Sequence, residues 1–137
     1  MKITNEIKSR FIELSVVESV KEHYPSYRIE ISLETENIKS NFNNFIWISE
    51  EDIDSYILGL ENLDKTRNGK AELNSMSPGE LSLLFKTIDN LGHLAVELKI
   101  RKEDRISKDY SYDLIIEFQV DPTILSSVVS DLKKIKK

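Results

Sequence analysis

Apolar and polar residues alternate along several stretches of this chain, and a period of two is typical of β-strands that bury one face. The clearest stretch spans residues 27–34, where Tyr27, Ile29, Ile31 and Leu33 alternate with polar residues. The same pattern predicts further strands at residues 10–20, 71–76, 81–89, 94–100 and 110–120. Most of the chain is therefore expected to form β-structure.

The segment from residue 41 to residue 48 divides into a polar part and an apolar part. Residues 41–44 (NFNN) are predicted to form a loop, because asparagine is depleted in strands. Residues 45–48 (FIWI) are continuously apolar and predict a short strand buried on both faces.

Two segments change to helical spacing. The first starts at Ser49, a favourable N-cap residue, with Asp52 at the acidic position of a capping box, and it ends at Asn68 and Gly69. Its apolar stripe consists of Ile53, Tyr56, Ile57, Leu60 and Leu63. The second helix is predicted to start with Asp121 as N-cap and Pro122 at its first position. The lysines after residue 132 suit the negative end of its dipole.

The order of these elements is βββ-α-ββββ-α, with short turns between most strands. It predicts an α+β fold, with one antiparallel sheet of about six to seven strands. The inserted helix and the C-terminal helix are expected to cover one face of the sheet, which gives two layers. A length of 137 residues without a linker or repeat predicts a single domain, residues 1–137.

Composition narrows the class of protein. The absence of cysteine excludes disulfides and thiolate chemistry and suits a reducing compartment. No apolar run approaches the roughly 20 residues that cross a bilayer, and residues 1–9 show no signal-peptide core. We therefore expect a cytoplasmic protein without membrane contact. A net charge of −5 argues against direct nucleic-acid binding.

No catalytic or metal-binding motif emerges from the sequence. The two histidines, His23 and His93, are 70 positions apart, and the four glycines form no phosphate-binding loop. We expect no cofactor, no metal and no enzymatic activity. The alternative is a small ligand-binding or hydrolytic domain, in which Asp89 and Asp113 near His93 are the first candidates.

Acidic residues are concentrated between residues 30 and 64, where nine acids accompany one base, Lys39. One interpretation is a solvated strand and helix with a single exposed leucine. The other is an acidic surface with an apolar contact, complementary to a basic partner. Under the second interpretation the partner-binding residues are Glu30, Glu34, Glu36, Glu50, Glu51, Asp54, Leu58 and Glu61.

Four segments carry a resemblance to a known family: residues 58–73 (LGLENLDKTRNGKAEL), 77–85 (SPGELSLLF), 89–96 (DNLGHLAV) and 112–125 (YDLIIEFQVDPTIL). They resemble the WapI-type immunity proteins, small bacterial antitoxins encoded beside polymorphic, contact-delivered toxins. The resemblance implies that the chain binds the C-terminal domain of a cognate toxin. The resemblance further implies that this toxin domain is a nuclease, such as a tRNase, and that the immunity protein blocks its active-site cleft. The expected state is a monomer or a weak homodimer. Association through an exposed sheet edge remains a further hypothesis.

Overall fold

A computed structural model of the protein describes residues 1–104 and 106–136, so that Arg105 and Lys137 lie outside the described residues. The described chain contains eight strands and two helices. They are β1 (Lys2–Thr4), β2 (Phe11–Val20), β3 (Ser26–Glu34), β4 (Lys39–Ser49), α1 (Glu50–Thr66), β5 (Lys70–Asn74), β6 (Leu81–Thr87), β7 (Leu94–Glu103), β8 (Ser111–Val120) and α2 (Ile124–Ile135).

The strands form two antiparallel four-stranded sheets, sheet A in the order β1-β2-β3-β4 and sheet B in the order β5-β6-β7-β8. The α+β class with one inserted and one C-terminal helix is confirmed, but the prediction of one sheet of six to seven strands is wrong. Each strand pairs with its neighbours in sequence, and α1 intervenes between β4 and β5. The inserted helix therefore follows the last strand of sheet A and precedes the first strand of sheet B along the chain, whereas the prediction had it cover a single sheet.

Two parts of sheet A differ from the sequence prediction. Strand β1 was not predicted, yet its Ile3 is completely buried and lies opposite Ile12. Residues 41–44 belong to β4, not to a loop, and the Asn41 side chain donates a hydrogen bond to the Ser32 hydroxyl at 2.8 Å. Residues 45–48 are also not buried on both faces, because only Ile46 and Ile48 of these residues are buried.

Helix α1 begins where the sequence predicts. The Ser49 hydroxyl accepts a hydrogen bond from the Asp52 N–H at 3.0 Å, and the predicted apolar stripe is buried. The helix ends one turn after Leu63, with Arg67 in the left-handed conformation and its N–H bonded to the Leu63 carbonyl. The N-cap residue and the apolar period were therefore sufficient to predict where this helix begins.

Helix α2 begins later than predicted. Its N-cap is Thr123, and Asp121 instead closes a turn by accepting hydrogen bonds from the N–H and the hydroxyl of Thr123, both at 2.9 Å. The Ile124 N–H bonds to the Asp121 carbonyl, which is an i→i+3 turn that leads into the helix.

Buried apolar side chains of both sheets and both helices form one core cluster. A backbone hydrogen bond of 2.8 Å from the Met76 N–H to the Trp47 carbonyl also joins the turn after β5 to strand β4. The rings of Phe42 and Tyr112 are 5.8 Å apart and connect β4 with β8. In the described ranges no helix has the length and apolar character needed to span a membrane.

Candidate partner-binding surfaces

The eight residues predicted to bind a partner lie in three places. Glu30 and Glu34 are on β3, Glu36 follows that strand, and the other five are on α1. Ser26 at the start of β3 lies opposite Ser49, beside the start of α1. Glu34 is eight residues further along β3, which corresponds to about 27 Å. The predicted set therefore does not form one compact acidic patch.

The acids in the region of sheet A have various neighbours. Glu30 lies opposite Ser15 of β2, and Glu34 lies between Phe11 of β2 and Lys39 of β4. The Arg10 Nε–H donates to both carboxylate oxygens of Glu36, at 3.1 and 2.9 Å, and this hydrogen bond holds the Glu36 pKa below its usual value. Glu36 is thus already engaged by a base of its own chain.

The acids on one side of α1 are paired with the lysines of α2. The Asp54 carboxylate contacts the Lys136 ammonium, and Glu61 lies 3.8 Å from Lys133. Hydrogen bonding to Asp54 raises the pKa of Lys136. Because the earlier acid pairs with the later lysine, the two helices run in opposite directions. Two of the seven acids that were predicted to bind a partner therefore contact lysines of α2.

Glu50, at the start of α1, is part of a third internal contact. Its carboxylate accepts a hydrogen bond of 2.8 Å from the hydroxyl of Tyr27, which itself accepts one of 2.8 Å from the Lys21 ammonium. Glu51 and Leu58 remain on the exposed ridge of the helix, and the Leu58 side chain is 68% exposed. This ridge can offer one apolar contact beside one carboxylate.

The structure brings Asp89 and His93 together at the turn between β6 and β7. The His93 Nδ1 lies 2.5 Å from Asp89 Oδ2, and this hydrogen bond lowers the Asp89 pKa. Asp113 does not join them, because it lies opposite Arg101, seven residues from the end of β8 at Val120 and thus about 23 Å away. The three candidates of the hydrolytic alternative therefore do not converge.

A groove of about 290 Å³ beside His93 is lined by Asn5, Glu6, Arg10, Gln119 and Asp121, among others. In the described part of the chain, the His93 ring has one hydrogen-bond partner, Asp89. Among these residues no three histidine or carboxylate side chains are arranged to hold a metal ion. The Asp89–His93 contact joins two residues of the same turn, and no hydroxyl of the described residues is hydrogen-bonded to the His93 ring.

The sequence analysis kept association through an exposed sheet edge as a hypothesis but did not identify the strand, and the structure has a free edge of sheet B along β8. The Arg101 N–H bonds to the Glu80 carbonyl on the β6 side, and the Asp104 N–H bonds to the Tyr110 carbonyl on the β8 side. Because antiparallel partners exchange hydrogen bonds at every second pair, the even-numbered residues of β8 bond to β7. The odd-numbered residues direct their N–H and C=O groups outward: Ser111, Asp113, Ile115, Glu117 and Gln119.

Apolar side chains accompany this edge on both faces. Ile115 lies on the outer face of the sheet and is 63% exposed. On the inner face Tyr112, Leu114 and Ile116 are half-buried, whereas Phe118 near the end of the strand is buried. The alternation of β8 is visible in the sequence. Its position at an edge is not, because that depends on which strands pair.

No curated protein matches the chain. Among solved structures, a chain of "Crystal structures of trypanosoma bruciei MRP1/MRP2" has a TM-score of 0.40 and 10% identity, and the match covers 99% of this chain and 83% of that one. A similarity of this degree supports no structural or functional argument. A family model described as "Immunity protein WapI-like family" matches residues 2–137, so the chain belongs to the WapI-like family of immunity proteins.

Proposed function

We propose that this protein is a bacterial antitoxin that binds the C-terminal domain of a cognate toxin and neutralises it without catalysis of its own. The family match over residues 2–137 is the observation that carries this proposal. The failure of Asp89, His93 and Asp113 to converge agrees with a binding role. An antitoxin that protects its own cell acts in the cytoplasm, where an incoming toxin reaches its target.

We further propose that the toxin domain is a nuclease and that the antitoxin blocks its cleft. A nuclease cleft that holds phosphates is basic, and the chain carries a net charge of −5. Opposite charges raise the association rate more than they strengthen the bound state. The half-buried Glu30 and Glu34 and the exposed Glu51 would contribute to this long-range attraction, and Leu58 would supply an apolar contact.

We expect a large secreted toxin to be encoded beside this gene, and the direct test uses the C-terminal domain of that toxin. Cells that produce this domain should survive when they also produce the antitoxin, and the two purified proteins should form a stoichiometric complex. An unrelated toxin domain serves as the control and should still kill. Survival without complex formation, or a complex without protection, would contradict the proposed function.

The charge argument predicts a specific salt dependence for this complex. Raising the ionic strength from about 0.01 M to about 0.15 M shortens the Debye length from roughly 30 to 8 Å. The association rate should therefore fall severalfold, while the dissociation rate changes little. Stopped-flow fluorescence measures both rates. A dissociation rate that carries most of the salt effect would show that the charges act in the bound interface instead.

A further inference from the structure

Strand β8 is the long, regular and uncovered edge among the four sheet edges in the described residues. Strand β1 has only three residues, and β5 has five and lies against α1. The β4 edge is interrupted by an irregularity near Asn44, which has a φ of 73°, and its Trp47 carbonyl is already bonded to Met76. Natural sheets blunt their edges by such devices. Strand β8 has ten residues without a register shift against β7.

The outward-facing residues of β8 carry acids and no bases. Asp113 lies 3.8 Å from Arg101, and Glu117 lies 3.0 Å from Lys86. Both bases belong to inner strands, so they approach the carboxylates from within the sheet. The side chains of Asp113 and Glu117 remain 66% and 43% exposed, which leaves each carboxylate accessible from the edge.

This charge pattern disfavours a second copy of the chain at the edge. A two-fold pairing centred on Ile115 would place Asp113 directly opposite Glu117 of the second copy, and directly opposed like charges destabilise a sheet. If the centre of the two-fold pairing moves by one residue, to Leu114 or Ile116, the acids of the two copies take diagonal positions, where they remain neighbours. A strand with basic residues opposite both acids has no such conflict.

We propose that the β8 edge accepts an extended segment of the toxin domain as an added strand of sheet B. This inference rests on the proposed function and specifies how the partner is held. The segment would carry a basic–x–apolar–x–basic pattern opposite Asp113, Ile115 and Glu117. Its alternate residues would be apolar and would pack beside the half-buried Tyr112 and Leu114. Backbone hydrogen bonds would supply affinity, and the alternate side chains would supply specificity.

Amide hydrogen exchange tests this geometry residue by residue. In the free protein the amides of Asp113, Ile115 and Glu117 should exchange rapidly, because they point outward, whereas those of Leu114 and Ile116 should be protected by β7. In the complex with the toxin domain the alternation should disappear, with at least about tenfold slower exchange at the three odd positions. A complex that protects other segments and leaves these amides fast would overturn the proposal while the proposed function stands.

Charge reversal provides a second test with a matched control. Asp113→Lys combined with Glu117→Lys should weaken toxin binding about tenfold or more, because two cross-strand attractions become repulsions. Glu30→Lys combined with Glu34→Lys makes the same change of net charge on sheet A and should weaken binding about threefold or less. Equal losses in the two variants would show that only overall charge matters and would overturn the proposal. Circular dichroism checks that both variants fold.

A backbone test removes the edge without reversing charge. Ile115→Pro deletes an outward N–H and no hydrogen bond to β7, so strand addition should weaken at least tenfold. If that variant fails to fold, Ile115→Lys is used instead, since a lysine there opposes the basic partner and keeps the backbone intact. Unchanged binding by a folded variant would contradict the proposal.

A synthetic peptide separates failure of the edge from failure of the proposed function. The peptide TVKVIVKVT should shift the NMR signals of the odd-numbered β8 amides, and its counterpart TVEVIVEVT should not. This arm decides the proposal even if the neighbouring toxin domain does not bind. Equal shifts with both peptides, or none with either, would overturn it. So would a stable dimer of the free protein with protected odd-numbered amides, because the occupant would then be a second copy.

Discussion

The two edges of sheet B have opposite designs. At one edge α1 lies against β5, and the approach is so close that a Cβ on Gly59 would be 3.2 Å from the Cβ of Ala71. At the other edge, about 14 Å away across three strand spacings, β8 presents five outward-facing residues, and no helix packs against them in the described part of the chain. One edge strand therefore has a helix packed beside its buried Ala71, with a glycine at the contact, and the other has no such helix.

The acids beside the two edges are paired with different parts of the chain. Beside β5, Asp54 and Glu61 of α1 contact lysines of α2, and the side chains of both acids are 48% exposed. Along β8, Asp113 and Glu117 contact bases of the same sheet, and their side chains are 66% and 43% exposed. The comparison shows that acids clustered in sequence can contact bases from a distant part of the chain, which the sequence alone does not reveal.

The largest expected effect comes from disrupting the close packing of α1 against β5. Gly59→Leu places a large side chain against Ala71 and should reduce the free energy of unfolding by about 1–3 kcal/mol through overpacking. Urea denaturation measures the change. Ser55→Leu, at an exposed position of the same helix, is the control and should be nearly neutral. Equal losses would show that leucine in the helix, not the contact with β5, is responsible.

Removing the cap of α1 should have the next largest effect. Ser49→Ala deletes the hydroxyl that accepts the Asp52 N–H and should cost about 1 kcal/mol. Thr123→Ala is a useful comparison, because the Thr123 side chain makes no capping bond to α2. The loss in thermal unfolding should be clearly smaller for that variant. The reverse order would mean that α2, not α1, limits stability.

A buried hydroxyl on α1 allows a further test of how this helix packs. The Tyr56 hydroxyl on α1 is buried and has no hydrogen-bond partner among the described residues, and burial raises the pKa of this tyrosine well above 10. Tyr56→Phe should therefore be neutral or stabilise the protein by up to about 1 kcal/mol. Tyr27→Phe removes a hydroxyl that bonds to Lys21 and Glu50 and should cost about 1 kcal/mol. Chemical denaturation of both variants distinguishes the two cases.

The smallest effect concerns pH and the contact of Asp54 with Lys136. The folded-state pKa of Lys136 is raised above 10.5, so its stabilising contribution is complete below pH 10.5 and is lost as the pH rises through the folded value. The stability difference between the wild type and Lys136→Gln should therefore shrink at high pH. Lys134→Gln serves as the control. A difference that grows with pH would contradict the assigned contact.

Local signals in the sequence predicted the elements but not their assembly. Ser49 and the apolar stripe of α1 located that helix because capping and helical period are short-range properties. Strand β1 was not predicted from the sequence, because Ile3 is the only buried residue of this short and mostly polar strand. The division into two sheets could not be read, since alternation tells which face is buried but not which strands pair.

The predicted site was limited by the same lack of tertiary information. The helical pattern of α1 places its acids on the polar face, where no partner can be predicted. Asp54 and Glu61 contact Lys136 and Lys133 because α2 packs alongside α1. Likewise the alternation of β8 predicted a strand, but only the pairing order shows that Ile115 lies at an edge. Short-range patterns thus defined side-chain faces, while partners of charges and edges depended on contacts distant in sequence.

Ser49 is both the last residue of β4 and the N-cap of α1, so strand and helix are joined without a connecting residue. The Glu50 N–H is also held by the Pro25 carbonyl, which lies just before β3. A helix attached in this way has no hinge about which to swing. Any tilt of α1 must move sheet A at the start of the helix and β5 along its length. The helix therefore couples the positions of the two sheets.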